Sequence, residues 1–381
     1  MKKFLFVTNG HGEQAIAARI ATELDTIGDF QMDHLSLVGD DVAASALLRP
    51  VGPRRKMPSG GLIAMGNVRN FLQDLRAGLA THTFAQLRYL RSINDRYDLA
   101  AAVGDTFAYV MTRRAAAKKT VFVGTAKSVY VARYGPGELR ALRSADAIFV
   151  RDAATANDLC ARGAQASAPG NVIVDLFDEN TESSTIAGNT LAIFPGSRES
   201  AYGDAVFAAS VVRTLKKKLP YVRASLSIAP GLDAQRFAQV LRDDGWDVLS
   251  MSAPSNPFTL AVGHEVVITA WTGSPGAMLK DAQLVLGQAG TVNEAAAARG
   301  IPVVAFHRSS SANWYRRRQR GLLDGALMVM TGSENSVAGQ LLSLLRDESR
   351  RRAMSAIGRD RMGPPGGARS IALRLSELVQ C

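Results

Sequence analysis

The chain has 381 residues, 47% apolar and 21% charged, enough for two soluble domains each with its own core. No run reaches the roughly 18 uncharged apolar residues of a membrane helix. Cys160 and Cys381 lie far apart with no CxxC, and the five histidines form no HExxH or HxH pair, so no metal site is expected. The net charge is +11, and residues 49–96 carry nine Arg/Lys against two Asp. A local excess of this kind calls for an anionic partner, a nucleic acid or an anionic membrane.

The first apolar run, KFLFVT (3–8), is too short for a leader's core and no cleavage site follows, so it reads as a strand. Next comes NGHGEQAIAARI, with Gly10, Gly12 and Ala15 at the spacing of a dinucleotide-binding turn. That reading needs an acid at the end of the second strand, about 20 residues on. Asp33 has the distance but falls near the start of the candidate strand 32–39, and Asp40 and Asp41 come late. Glu13 would also point a carboxylate at the helix N-terminus, where a pyrophosphate should sit. The dinucleotide reading is therefore disfavoured. His11 and Glu13 remain as candidate bases.

Residues 59–92 interleave Leu62, Ile63, Phe71, Leu75 and Phe84 with Arg69, Arg76 and Arg88, an amphipathic helical pattern. It reads either as a core-facing helix with a solvated basic face or as an interfacial element with snorkelling arginines. Leu62, Ile63, Phe71, Arg69 and Arg76 are the candidate membrane contacts. The strand LAAAVG (99–104) leads to Asp105, which suits a general base at a sheet edge and equally an N-cap for TFAYVMTRR. Further strands are read at 120–124, 147–150 and 171–176.

Residues 177–190 are polar and aperiodic, the best linker. A second strand series follows at 191–196, 223–230, 246–250, 265–270, 283–287, 301–306 and 326–330. Alternation of strand and helix implies parallel sheets covered on both faces. The domains are thus 1–176 and 191–362, with a helix over 366–381 expected to cross back to the first.

Two motifs in the second series carry chemistry. In FPGSRES, Gly196 and Ser197 can offer N–H groups to an anion and Arg198 a bidentate clamp; the bland reading is a surface loop with a serine cap. In GQAGTVNEAAAARG, Gly290 and Thr291 can face a diphosphate and Glu294 a ribose diol. The bland reading is a capping box, Thr291 as N-cap with Glu294 three residues on. A basic stretch, NWYRRRQRGLL (313–323), reads as a surface or phosphate-binding helix.

FPGSR followed by GQAGTVNEAAAARGIPVVAF, with NGHGE, the GD at 104–105 and APGNVIVDL, resembles the lipid-A-disaccharide synthase-related proteins over nearly the whole chain. The resemblance implies a GT-B fold, two Rossmann-like domains with a cleft between them. It implies a glycosyltransferase moving a sugar from a UDP-sugar to a lipid-linked acceptor at the cytoplasmic membrane face. Gly196, Ser197, Arg198, Gly290, Thr291 and Glu294 then hold the UDP-sugar; Asn9, Gly10 and Gly12 form the acceptor-side loop; Asp105, His11 or Glu13 is the base. Gln14 stands where the family's NGHGED loop has Asp, which leaves the acceptor open. No cofactor, metal or nucleic acid is implied. The alternatives are a GT-B sugar-nucleotide epimerase or hydrolase, and a non-catalytic membrane- or nucleic-acid-binding protein.

Overall fold

Phe4, Leu5, Phe6 and Val7 are all fully buried, yet they serve two cores. Phe4 and Phe6 join Ile16, Ile20 and Leu24 on one face of a sheet, while Leu5 and Val7 join Leu35, Leu90 and Tyr109 on the other. Continuous apolar runs of this kind mark a parallel sheet covered on both sides. In a computed structural model the described residues are 1–38, 45–55, 75–76, 78–177, 190–253, 255–263, 265–307 and 313–380. The chain divides into two units, residues 1–176 with 363–381, and residues 177–362.

In the first unit the strands are β1 Lys2–Thr8, β2 Phe30–Ser36, β3 Arg49–Pro50, β4 Leu99–Gly104, β5 Lys119–Gly124, β6 Ala147–Val150 and β7 Ala166–Ser167. They form one parallel sheet in the order β3-β2-β1-β4-β5-β6-β7. The chain leaves β1 in one direction and resumes at β4 in the other, so the topological switch point lies between these two strands.

The second unit has β8 Leu191–Phe194, β9 Ala224–Ser227, β10 Asp247–Ala253, β11 Asn256–Val262, β12 Glu265–Trp271, β13 Leu284–Gly287, β14 Val303–His307 and β15 Leu327–Thr331. Their order is β10-β11-β12-β9-β8-β13-β14-β15, with the switch point between β8 and β13. Here the all-parallel expectation is corrected. β11 pairs antiparallel with both β10 and β12, and both ladders carry register shifts. The prolines in APSNPFTLAV disguised β11, which takes Pro257 as its second residue on this peripheral meander.

Residues 171–176, expected as a strand, are instead the short helix Val172–Asp175, N-capped by Asn171 through Ile173 N–H to Oδ1 (3.1 Å). All four helical residues are buried. A short apolar run does not distinguish a buried strand from a buried helical turn. Asp175 has a specific task. Its two oxygens accept from Gly366 N (2.6 Å) and Ala368 N (2.7 Å), at the start of the helix Gly367–Gln380. Asn171 N donates to Pro364 O (3.0 Å), and Gly170, at φ +133°, lies against the backbone of Gly367, where a Cβ would collide. The last helix buries Ala368, Ile371, Ala372, Leu375 and Val379 in the same core as Phe4 and Phe6.

Leu62, Ile63, Arg69 and Phe71 lie outside the described residues. Arg76 is exposed. The helix Leu79–Ser92 turns His82, Gln86 and Leu90 inward and leaves Phe84 exposed, so the inward face of this part of the amphipathic pattern is largely polar. Strand β2 ends beneath it, and Gln86 Nε2 satisfies the carbonyls of Ser36 (3.0 Å) and Leu37 (3.2 Å), with His82 Nε2 2.9 Å away. No described helix is long and apolar enough to cross a membrane.

Candidate functional site

At the first switch point the loop after β1 runs straight into the helix His11–Asp25, whose N-cap is Gly10. The Glu13 side chain folds back so closely that a Cβ on Gly10 would strike its carboxylate. Thr125 Oγ1, just past β5, donates to Glu13 Oε1 (3.3 Å). The protein's own carboxylate thus fills the helix N-terminus that a pyrophosphate would need. Asp33 is not near a strand start but mid-strand in β2, buried. It is held by Arg49 through two bonds (2.8 and 2.9 Å) and by Tyr97 Oη (2.7 Å). The dinucleotide turn has neither its open helix end nor its acid. Asn9 Oδ1 sits where a Cβ on Gly104 would stand, and Gly104 has φ +141°, so β4 must end in glycine. Gly12 is open, with nothing near a built Cβ. His11 begins the helix; its side chain is not among those described.

Asp105 follows Gly104 and caps the helix Thr106–Thr112, its Oδ1 accepting from Ala108 N (3.0 Å). The cap reading is therefore correct, and it does not exclude chemistry, since it fixes the carboxylate in one orientation. Burial pushes the Asp105 carboxyl above its ordinary value, against the bonds from Ala108 and Phe107 N–H; nearby Glu138 adds to the rise and Lys127 opposes it.

Around Asp105 lies a network that the sequence reading missed. Glu138 accepts from Lys127 Nζ (2.6 Å), Thr106 Oγ1 (3.1 Å) and Gly135 N (2.7 Å). Burial raises the Glu138 carboxyl, but these donors outweigh it and leave the group below the usual glutamate range. Lys127 also lies 5.6 Å from the Tyr134 ring centre. The signal was present as PGEL (136–139), a proline at the first helical position with Glu two residues on.

At the second switch point two loops leave neighbouring strands side by side. Phe194 of β8 is in register with Gly287 of β13, and Gln288 N donates to Phe194 O (2.8 Å). Beyond β8, Gly196 takes φ +116° with open space at its Cβ position, and Ser197 and Arg198 are exposed. The helix Ala201–Lys216 starts three residues after Arg198, and Ser200 gives it no side-chain cap bond, so the serine-cap reading fails. Glu199 is tied to Arg236 (3.1 Å to Nη1), whose guanidinium lies 4.1 Å over the Tyr202 ring.

Beyond β13 the helix Gly290–Ala298 has Ala289 as N-cap, with no side-chain bond. This corrects the capping box. Thr291 is the second helical residue and Glu294 the fifth, too far along to reach back to the cap. Thr291 is exposed, Gly290 half-buried and Glu294 buried. The basic helix Asn313–Leu323 turns Gln319 inward between exposed Arg317 and Arg320. Among the described residues no group of three or more His, Cys, Asp or Glu could hold a metal ion.

No protein-family model matches the chain, and no curated protein does. Solved structures do. UDP-GlcNAc 2-epimerase from Neisseria meningitidis, bound to UDP-GlcNAc, is 12% identical with a TM-score of 0.58, over 98% of this chain and 100% of its own. The glycotransferase of kitacinnamycin is 13% identical with a TM-score of 0.61, over 99% of both chains. MurG of Acinetobacter baumannii is 14% identical with a TM-score of 0.54, over 99% of this chain and 100% of its own. The likeness is one of architecture along the whole length: the chain has the GT-B fold, two Rossmann-like α/β units with the last helix returned to the first.

Proposed function

We propose that the protein is a glycosyltransferase that moves a sugar from a UDP-sugar to a lipid-linked acceptor at an anionic membrane surface, in the manner of lipid-A-disaccharide synthase. The observation that carries the nucleotide half is the pairing of two donor-bearing loops, 195–198 and 288–291, on adjacent strands at a switch point. Ligands of open α/β sheets bind at that place. Arg198 and the N–H groups of Gly196, Ser197, Gly290 and Thr291 receive the diphosphate, and Glu294 accepts from ribose hydroxyls. UDP-sugar binding by structural neighbours of the same fold supports the reading.

Asp105 takes the proton of the acceptor hydroxyl as its oxygen bonds to the sugar. The bond from the sugar to the diphosphate breaks, and the charge on the leaving UDP is met by Arg198 and the loop N–H groups, with no metal. Asn9, Gly10 and Gly12 line the acceptor side. Phe107 and Val110, exposed on the helix that Asp105 caps, suit an apolar acceptor, and the basic excess of residues 49–96 suits an anionic surface.

A sugar-nucleotide epimerase is the second reading. It is favoured by the Asp105 and Glu138 carboxyls acting on one another at the end of the first sheet, with Glu13 beside Gly104, and by the similarity to the meningococcal epimerase. One assay separates them. UDP should raise the Tm, and Arg198→Ala should cut UDP affinity about tenfold or more, the loss of one charge-assisted phosphate contact. A UDP-sugar alone should stay unchanged, and UDP should be released only when a lipid acceptor is added. A new sugar epimer without acceptor favours the second reading; no response to UDP removes both.

A further inference from the structure

The loop Gly287–Gly290 is held by a closed ring of buried amides. Asn293 Nδ2 donates to Gly287 O (3.2 Å) and to Gln319 Oε1 (3.3 Å), and Gln319 Nε2 donates to Gly290 O (3.1 Å). Asn293 is fully buried and Gln319 is 4% exposed. Both ends of one four-residue loop are thus tied through two side chains, one from the helix that follows the loop and one from the basic helix Asn313–Leu323. Within the loop, Gln288 is tied twice more, by its N–H to Phe194 O (2.8 Å) and by Nε2 to Phe306 O (2.6 Å).

An anion-binding backbone works best when its N–H groups already point at the ligand, because ordering them on binding costs affinity. A Gly-flanked loop has the opposite tendency. The ring answers this. It pairs the buried side-chain amides of Asn293 and Gln319 with one another, and Gln319 Nε2, which has no other partner among the described residues, with Gly290 O, so its members have a strong reason to stay together.

We infer that Gln319 is a positioning residue, which holds the Gly287–Gly290 loop in its phosphate-receiving form and so couples the basic helix to the nucleotide site. The inference rests on the nucleotide reading above. Gln319 touches no nucleotide; it acts through the loop. It is the member that belongs to neither the loop nor the loop's own helix, so a shift of Asn313–Leu323 would reach the phosphate site through it.

Two variants divide its bonds. Gln319→Met keeps length and removes both; Gln319→Glu keeps the acceptor for Asn293 and removes the donor to Gly290 O. Amide hydrogen exchange over residues 288–291, without ligand, reads the loop itself, and calorimetric titration with UDP reads its consequence. In Gln319→Met, loop exchange should rise and UDP should bind about tenfold more weakly, one buried hydrogen-bond pair's worth, while exchange in β8 and β13 stays at the wild-type rate. Gln319→Glu should show the same loop-exchange change, which keeps the test open if Gln319→Met does not fold. Unchanged loop exchange in a folded variant overturns the inference. So does faster exchange throughout the second unit with UDP affinity intact, which would make Gln319 a packing residue. A wild type that ignores UDP but loses loop protection in both variants instead overturns the nucleotide reading and leaves the clamp standing.

Discussion

His34 shows how one buried side chain sets a pH limit on the whole protein. It is completely buried in β2, with Nε2 2.9 Å from Thr8 Oγ1, and burial, helped by the Arg54 charge, lowers its pKa from 6.5 to about 4. Above pH 6.5 the imidazole is neutral folded or unfolded. Between 6.5 and 4 the unfolded chain binds a proton that the folded chain refuses, so stability falls as pH falls, by about 3 kcal/mol over the window. Urea unfolding at pH 7 and pH 4.5 should show this loss, and His34→Asn should remove most of it. Asp105 gives a second pH signature. If it is the base, the acid limb of the pH–rate profile should lie above the ordinary aspartate range. Lys127→Met should move that limb further up, since Lys127 favours the charged carboxylate, and Glu138→Gln should move it down. A limb indifferent to both variants would remove Asp105 from the proton transfer.

Among the elements, β13 and the helix after it are bound by a contact that admits no side chain. Asn293 Oδ1 occupies the place of a Cβ on Gly287, so Gly287→Ala must push a buried amide out of its ring. Overpacking of this kind should cost about 1–3 kcal/mol, seen as a lower Tm, with UDP affinity reduced as well. The strand itself was plain in the sequence, because QLVLG is apolar and ends in glycine. The ring was not, because Asn293 and Gln319 are 26 residues apart and nothing local marks either as buried. The same division runs through the molecule. Parallel strands such as β1, β4 and β5 are legible as apolar runs, and FPGSR and GQAGT as glycine turns after strands. What failed needed tertiary partners. Residues 171–176 became helical because Asn171 caps them and Asp175 is needed by a segment some 190 residues on. Thr291 lost its cap role because Ala289 already stands at the helix boundary. PGEL marked Glu138 as a residue of a helix start, but not its pairing with Lys127 beside Asp105, which only the sheet order brings near.

At the scale of the molecule, both chain crossings between the units leave the first unit from one tied spot, residues 170–176 against 363–368. Asp175 serves there as an N-cap supplied from a distant segment. Asp175→Ala leaves two backbone N–H groups without their carboxylate and should cost about 3 kcal/mol, with the helix Gly367–Gln380 becoming the first element to exchange amide hydrogens or to be cut by protease. That helix closes the core face built on Phe4, Phe6, Ile16 and Ile20. A ribosome makes the chain in one direction, so this face stays open while the 186 residues of the second unit emerge and fold. The unit made first is finished last. During that interval a greasy sheet face is on offer to any neighbour. A fragment of residues 1–176 should accordingly aggregate and bind a hydrophobic dye, a peptide of residues 363–381 added in trans should suppress both, and residues 177–362 should fold without help.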